Sequence, residues 1–151
     1  MNKSNAFDQY KEELIRDCIG GEGIPEIIKE VPRIFDTLLG LLEDRDLSNE
    51  NRLMVLAGVG YYFIPNDLYP EETLGQIGYI DDVLLCLEIF KQVSNTPLGM
   101  NLLERHWKLN IEIESTLDSL FESLRSKYSE QYIDVVNYVG IFDDDLEIPI
   151  D

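Results

Sequence analysis

The chain is poor in the residues from which most catalytic and metal centres are built. It has one histidine, His106, and two cysteines, Cys18 and Cys86. The two thiols stand far apart and in no metal-like pair, so reduced, buried thiols are expected rather than a disulfide or a zinc site. There are no Glu-x-x-His motifs, which removes a di-iron bundle. Nothing around His106 supplies the nucleophile that Ser-His-Asp or Cys-His chemistry needs, so a surface or packing histidine is expected. No glycine-rich loop leads into Lys-Ser or Lys-Thr, which excludes a P-loop. No cofactor is expected. Long apolar runs are also lacking. The longest, residues 53–64, falls well short of the about 20 residues that cross a bilayer. Residues 1–19 interleave Lys3, Lys11 and Arg16 with Asp8, Glu12, Glu13 and Asp17, so no signal peptide is expected there. Basic residues are scarce: 12 Lys and Arg face 30 Asp and Glu, a net charge of −18. Such a charge is repelled by DNA, RNA and anionic lipid, so neither a direct nucleic-acid partner nor a membrane is expected. The expected location is cytoplasmic.

What is present suffices for a packed core. Hydrophobic residues make up 44% of 151, and a chain of this length buries roughly 70% of its unfolded surface without help from disulfides or metals. The apolar periodicity is helical almost throughout. Phe7, Tyr10, Leu14, Ile15 and Cys18 form one stripe. Pro25 suits the first turn of a second helix, and Pro32 either kinks it or starts another. Ser48 is a natural N-cap for a helix over about 50–63. That helix is apolar all round, from Leu53 to Ile64, and is therefore expected to be central and buried. A further helix is expected from about Gly78 to Val93. Thr96 and Pro97 form a cap and first turn for a long helix running to about Lys127, and Ser129 is expected to cap a last one. The predicted architecture is a single all-helical domain over residues 1–142, a bundle of six to seven helices, followed by an acidic tail over 143–151.

Residues 58–90 stand out. No Lys or Arg occurs between Arg52 and Lys91, so Asp67, Glu71, Glu72, Asp81, Asp82 and Glu88 have no local countercharge. Most have simple structural explanations. Asp67 lies between two prolines, where a carboxylate accepts backbone N–H groups. Glu71, Glu72 and Asp81 fit first helical turns, where the dipole favours acids. Asp81 shares a face with Leu85, Glu88 and Gln92 and is expected to meet solvent. Asp82 differs, because its helical neighbours are Tyr79, Cys86 and Ile89. A carboxylate on that stripe needs a partner or a shifted pKa, and Tyr61, Tyr62 or the 65–70 backbone are candidate donors.

The run Pro65-x-Asp67-Leu68-x-Pro70, followed by Gly78-x-x-Asp81-Asp82, resembles the YkvA-like family, mostly bacterial small helical proteins built around a domain of unknown function. The resemblance covers about residues 53–92. It implies a Pro-x-Asp-x-x-Pro helical hairpin with Pro65, Asp67, Pro70, Gly78, Asp81 and Asp82 as its structural motif, and it implies no reaction. The link from Glu71 to Ile77 lacks the proline that the family usually carries there.

Three functions are compatible with these features. The first is a non-enzymatic interaction or accessory subunit that binds a basic protein partner, with Asp143, Asp144, Asp145 and Glu147 of the tail as contact residues. The second is a small-ligand or divalent-cation binder in which Asp67, Asp81 and Asp82 supply oxygen ligands to Mg²⁺ or Ca²⁺. The third is a nucleic-acid-mimicking inhibitor, which needs two spaced rows of acids. The apolar helix over 50–63 also leaves a homo-oligomer open.

Overall fold

Pro32 starts a helix rather than kinking one. In the computed structural model, which describes Gln9 and residues 26–62 and 80–140, a 3₁₀ turn over Glu26–Glu30 leads directly into helix α1 (Val31–Glu43) with Pro32 in its first turn. The missing proline N–H lies where a helix has no acceptor for it. Ile34, Phe35, Leu38 and Leu41 are buried, as their three- and four-residue spacing predicts. Ser48 caps the next helix, α2 (Asn49–Tyr62), by accepting the Asn51 N–H at 3.1 Å. The Arg52 guanidinium turns back onto the end of α1. It donates to the carbonyl of Leu42, to that of Asp44 at 2.7 Å and to that of Leu47 at 3.2 Å.

Helix α3 (Ile80–Val93) is followed by a tight turn into α4 (Pro97–His106). The expected Thr96–Pro97 cap forms, with Thr96 Oγ1 accepting the Gly99 N–H at 3.0 Å. Gly99 is needed there, since a Cβ would lie 1.9 Å from the Val93 carbonyl oxygen. The long helix expected over 97–127 is broken. Trp107 has an extended backbone, and residues 107–112 form a loop. The loop finds its hydrogen bonds in tertiary neighbours. Lys108 N–H donates to Thr37 Oγ1 at 3.1 Å and Asn110 N–H to Glu30 Oε1 at 2.8 Å. The Trp107 indole donates to Ile111 O at 2.7 Å and packs edge-on against Phe90, with centroids 5.6 Å apart.

Helix α5 comprises Ile113–Ser115, a π-helical stretch over Thr116–Leu120, and Phe121–Lys127. In that stretch the Lys91 ammonium donates to Leu117 O at 3.3 Å. Helix α6 (Ser129–Val139) ends at Gly140. Ser129 is its first residue and not its cap: the flanking residue is Tyr128, which makes no side-chain capping bond. The described residues thus form six helices and no strand, an all-α fold. None of these helices is long and apolar enough to cross a membrane.

The centre of the fold is α3, which packs against α1, α2, α4, α5 and α6. Every residue from Ile80 to Phe90, and Val93, is buried. Helix α2, expected at the centre, lies at the edge of the described residues. Its Val55, Val59 and Tyr61 are buried, while Leu53 is 59% and Leu56 53% exposed. Apolar composition on every side therefore does not make α2 central.

Candidate functional site

Three acids enter the core on the helix that is most completely covered. Asp81, Asp82 and Glu88 are all buried on α3. The expectation for Asp82 holds: it is 1% exposed. That for Asp81 does not, because the face it shares with Leu85 and Glu88 is covered too. Helix α2 supplies the reason. The Tyr61 hydroxyl donates to Asp81 Oδ2 at 2.8 Å, so the expected tyrosine donor serves Asp81. Asp81 Oδ1 also accepts the backbone N–H of Asp82 at 3.0 Å. This places the carboxylate against the positive N-terminal end of α3, where helix geometry leaves amides without an internal acceptor. The Tyr61 ring meets Tyr138 of α6 edge-on, with centroids 6.0 Å apart. One tyrosine therefore joins α2, α3 and α6.

A second network lies two turns along α3. Glu88 accepts a hydrogen bond from the Tyr132 hydroxyl of α6 and one at 2.9 Å from Gln92 Nε2. Its donors are neutral, which fits burial among apolar neighbours as long as each oxygen is satisfied. Burial first, and the hydrogen bond to Glu88 second, push the Tyr132 phenol up to about 12. The Arg125 guanidinium stacks 5.7 Å from the centre of the Tyr132 ring and 4.8 Å from that of Phe121. Glu88 was grouped in the sequence with the acids of the 58–90 stretch but not assigned a core position, because its partner lies 44 residues away on another helix.

A third cluster joins the end of α1 to the end of α4. His106 Nε2 lies 2.6 Å and Arg105 Nη1 2.8 Å from Asp44 Oδ2. A carboxylate can only accept, so the Nε2 proton is on the histidine. The hydrogen bond from His106 and then that from the Asp46 N–H outweigh an opposing effect of burial and, with a lesser contribution from Arg105, hold the Asp44 carboxyl at about 2. His106 is thus a packing histidine that ties two helix ends together.

Of the other expected site residues, Pro65, Asp67, Pro70 and Gly78, and Asp143, Asp144, Asp145 and Glu147 of the tail, lie outside the described residues. The structure brings Asp81 and Asp82 together. Among the described residues no group of three or more histidine, cysteine or acidic side chains is placed to hold a metal ion.

Comparison with known proteins picks out the same region. Residues 51–87, which contain most of α2 and of α3, match the model of a family described as a protein of unknown function (DUF1232). The chain is also similar to the uncharacterized protein ORF9 of Methanothermobacter thermautotrophicus, 24% identical over 135 residues, an alignment covering 89% of this chain and 85% of that protein. No solved structure matches. These likenesses support a relation to a family of unknown function.

Proposed function

We propose that this chain is a non-enzymatic interaction or accessory subunit that docks a basic protein partner through its acidic surface. The observation that carries this reading is the charge. The net charge is −18, yet among the described residues only Glu30, Asp81, Asp82 and Glu88 are buried acids. The other described acids face solvent wholly or in part, where they steer and orient a cationic partner. The tail residues Asp143, Asp144, Asp145 and Glu147 add to that field. The chain is read as one domain over 1–142, cytoplasmic, with a YkvA-like hairpin over about 53–92. Asp81 and Asp82 act in this reading as internal supports, through hydrogen bonds of the kind that Tyr61 makes to Asp81. The test is affinity capture from the native host at low and high salt, read by mass spectrometry. The expected result is one stoichiometric basic partner that salt releases. Absence of a specific partner at either salt overturns the reading.

A second reading is favoured by one observation, the adjacent burial of two carboxylates at the start of α3. In it Asp81 and Asp82, together with Asp67, hold Mg²⁺ or Ca²⁺. A melting temperature that rises with one of these ions, falls back with a chelator and does not respond in Asp82→Asn supports it. Equal melting with and without either ion rejects it.

A further inference from the structure

We propose that the cleft between α2 and α4 is the docking site for a basic amphipathic helix of a partner protein. This inference rests on the partner-binding reading above and says where and how the partner is held. The cleft has a volume of about 820 Å³. Leu53, Met54, Leu98 and Leu102 give it apolar walls, and Asp46 and Glu50 stand among its polar lining residues. Leu53 is 59% and Leu98 55% exposed, unusual for leucines that line a concave surface.

Two independent features point to an occupant. Helix α2 is apolar on both sides, yet among the described residues the buried side is the one that carries Val55 and Val59. Leu53 and Leu56, three residues apart on the other side, are more than half exposed, and Leu53 lines the cleft. The second feature is the sign of the charge. Among the described residues no Lys or Arg lines the cleft. Arg52, the nearest in sequence, is turned onto the carbonyls of Leu42, Asp44 and Leu47. Arg105 reaches Asp46 at 3.6 Å but is engaged by Asp44 at 2.8 Å. Glu50 has no ion pair among the described residues. A second copy of the chain, itself at −18, is repelled from such a rim, whereas Lys and Arg flanking an apolar stripe complement it. A surface walled by two helices accepts a third, which fills the space with residues at i, i+3, i+4 and i+7.

The test is a titration of the full ¹⁵N-labelled chain with a synthetic helical peptide of leucines at that spacing and lysines elsewhere. An otherwise identical leucine–glutamate peptide is the control. The expected result is amide shifts concentrated on α2 and α4, no response to the glutamate peptide, and affinity at least about tenfold weaker in Leu98→Ser and Leu53→Ser at unchanged melting temperature. Lysine-peptide binding that is lost in salt but equal in both variants overturns the cleft and leaves the acidic-surface reading standing. No binding at low salt overturns both. A lower melting temperature in either variant shows that a segment of this chain covers the cleft. A dimer that dissociates in the variants shows a second copy there. Either of these overturns the proposal.

Discussion

Helices α2 and α3 make an instructive pair. The stretch that matches the family of unknown function contains most of each, and they pack against each other. Helix α2 has no charged residue after Arg52, yet its Leu53 and Leu56 stand more than half exposed. Helix α3 carries Asp81, Asp82 and Glu88, yet nearly all of it is buried. Burial follows from what surrounds a helix and not from how apolar it is. Five helices pack around α3, and two of them, α2 and α6, bring hydroxyls that donate to Asp81 and Glu88. A buried carboxylate costs most when its hydrogen bonds are left unmade.

That contrast can be broken at graded strength. Leu85→Ala in α3 removes a fully buried side chain and is expected to cost about 3 kcal/mol. Leu56→Ala in α2 is expected to stay within about 0.5 kcal/mol. Urea unfolding of both variants checks the pair, and equal losses mean that α2 is covered after all. Next comes Tyr61→Phe, which takes the donor from Asp81 and is expected to cost about 2 kcal/mol. Asp82→Asn is expected to cost about 1–3 kcal/mol. If either variant melts at the wild-type temperature, that residue does not belong to a stabilising network.

The two glycines of α2 give a smaller test of the same asymmetry. A Cβ at Gly60 meets nothing within 4 Å, whereas one at Gly58 lies 2.7 Å from Ile89 Cδ1 of α3. Gly60→Ala is expected to gain up to about 1 kcal/mol from helix propensity alone. Gly58→Ala falls short of that gain, because Ile89 must turn away. Matched thermal melts read the difference, and equal gains remove the close α2–α3 approach.

The smallest effect concerns Asp44, at the end of α1. Asp44 is held at about 2 instead of 3.8. A lowered carboxyl value means stability that is present in full above the unfolded value and lost as pH falls through the folded one. The difference in stability between the native chain and Asp44→Asn is therefore expected to close as pH falls from about 4 to about 2. Melting curves at several acidic pH values check this. A gap that persists at the lowest pH assigns the contribution of Asp44 to packing.

Much of the local structure was legible in the residues. The residues around Pro32 allow a kink as well as a start, whereas the caps at Ser48 and at Thr96–Pro97 and the stripe of α1 all act within one or two helical turns. So did the inward direction of Asp82, set by neighbours three and four residues away. The break at Trp107 was not legible, because the apolar stripe continues through it. What ends α4 is a set of acceptors, Thr37 Oγ1 and Glu30 Oε1, that sit 71 and 80 residues from their donors. Asp81 was assigned to solvent because its face is half polar, and only Tyr61 on another helix reverses that. The link of Asp44 to Arg105 and His106, 61 and 62 residues apart, had no signal in either segment.

The sequence by itself determined the helical class, most of the helix starts and a net charge of −18. Each of these is set by composition or by residues within a turn of one another. Tertiary structure decided which of the described helices is central, which acids are internal and where leucines of α2 and α4 line a cleft. Those outcomes depend on which distant surfaces meet, and a periodic stripe says only that a face must be covered, not what covers it.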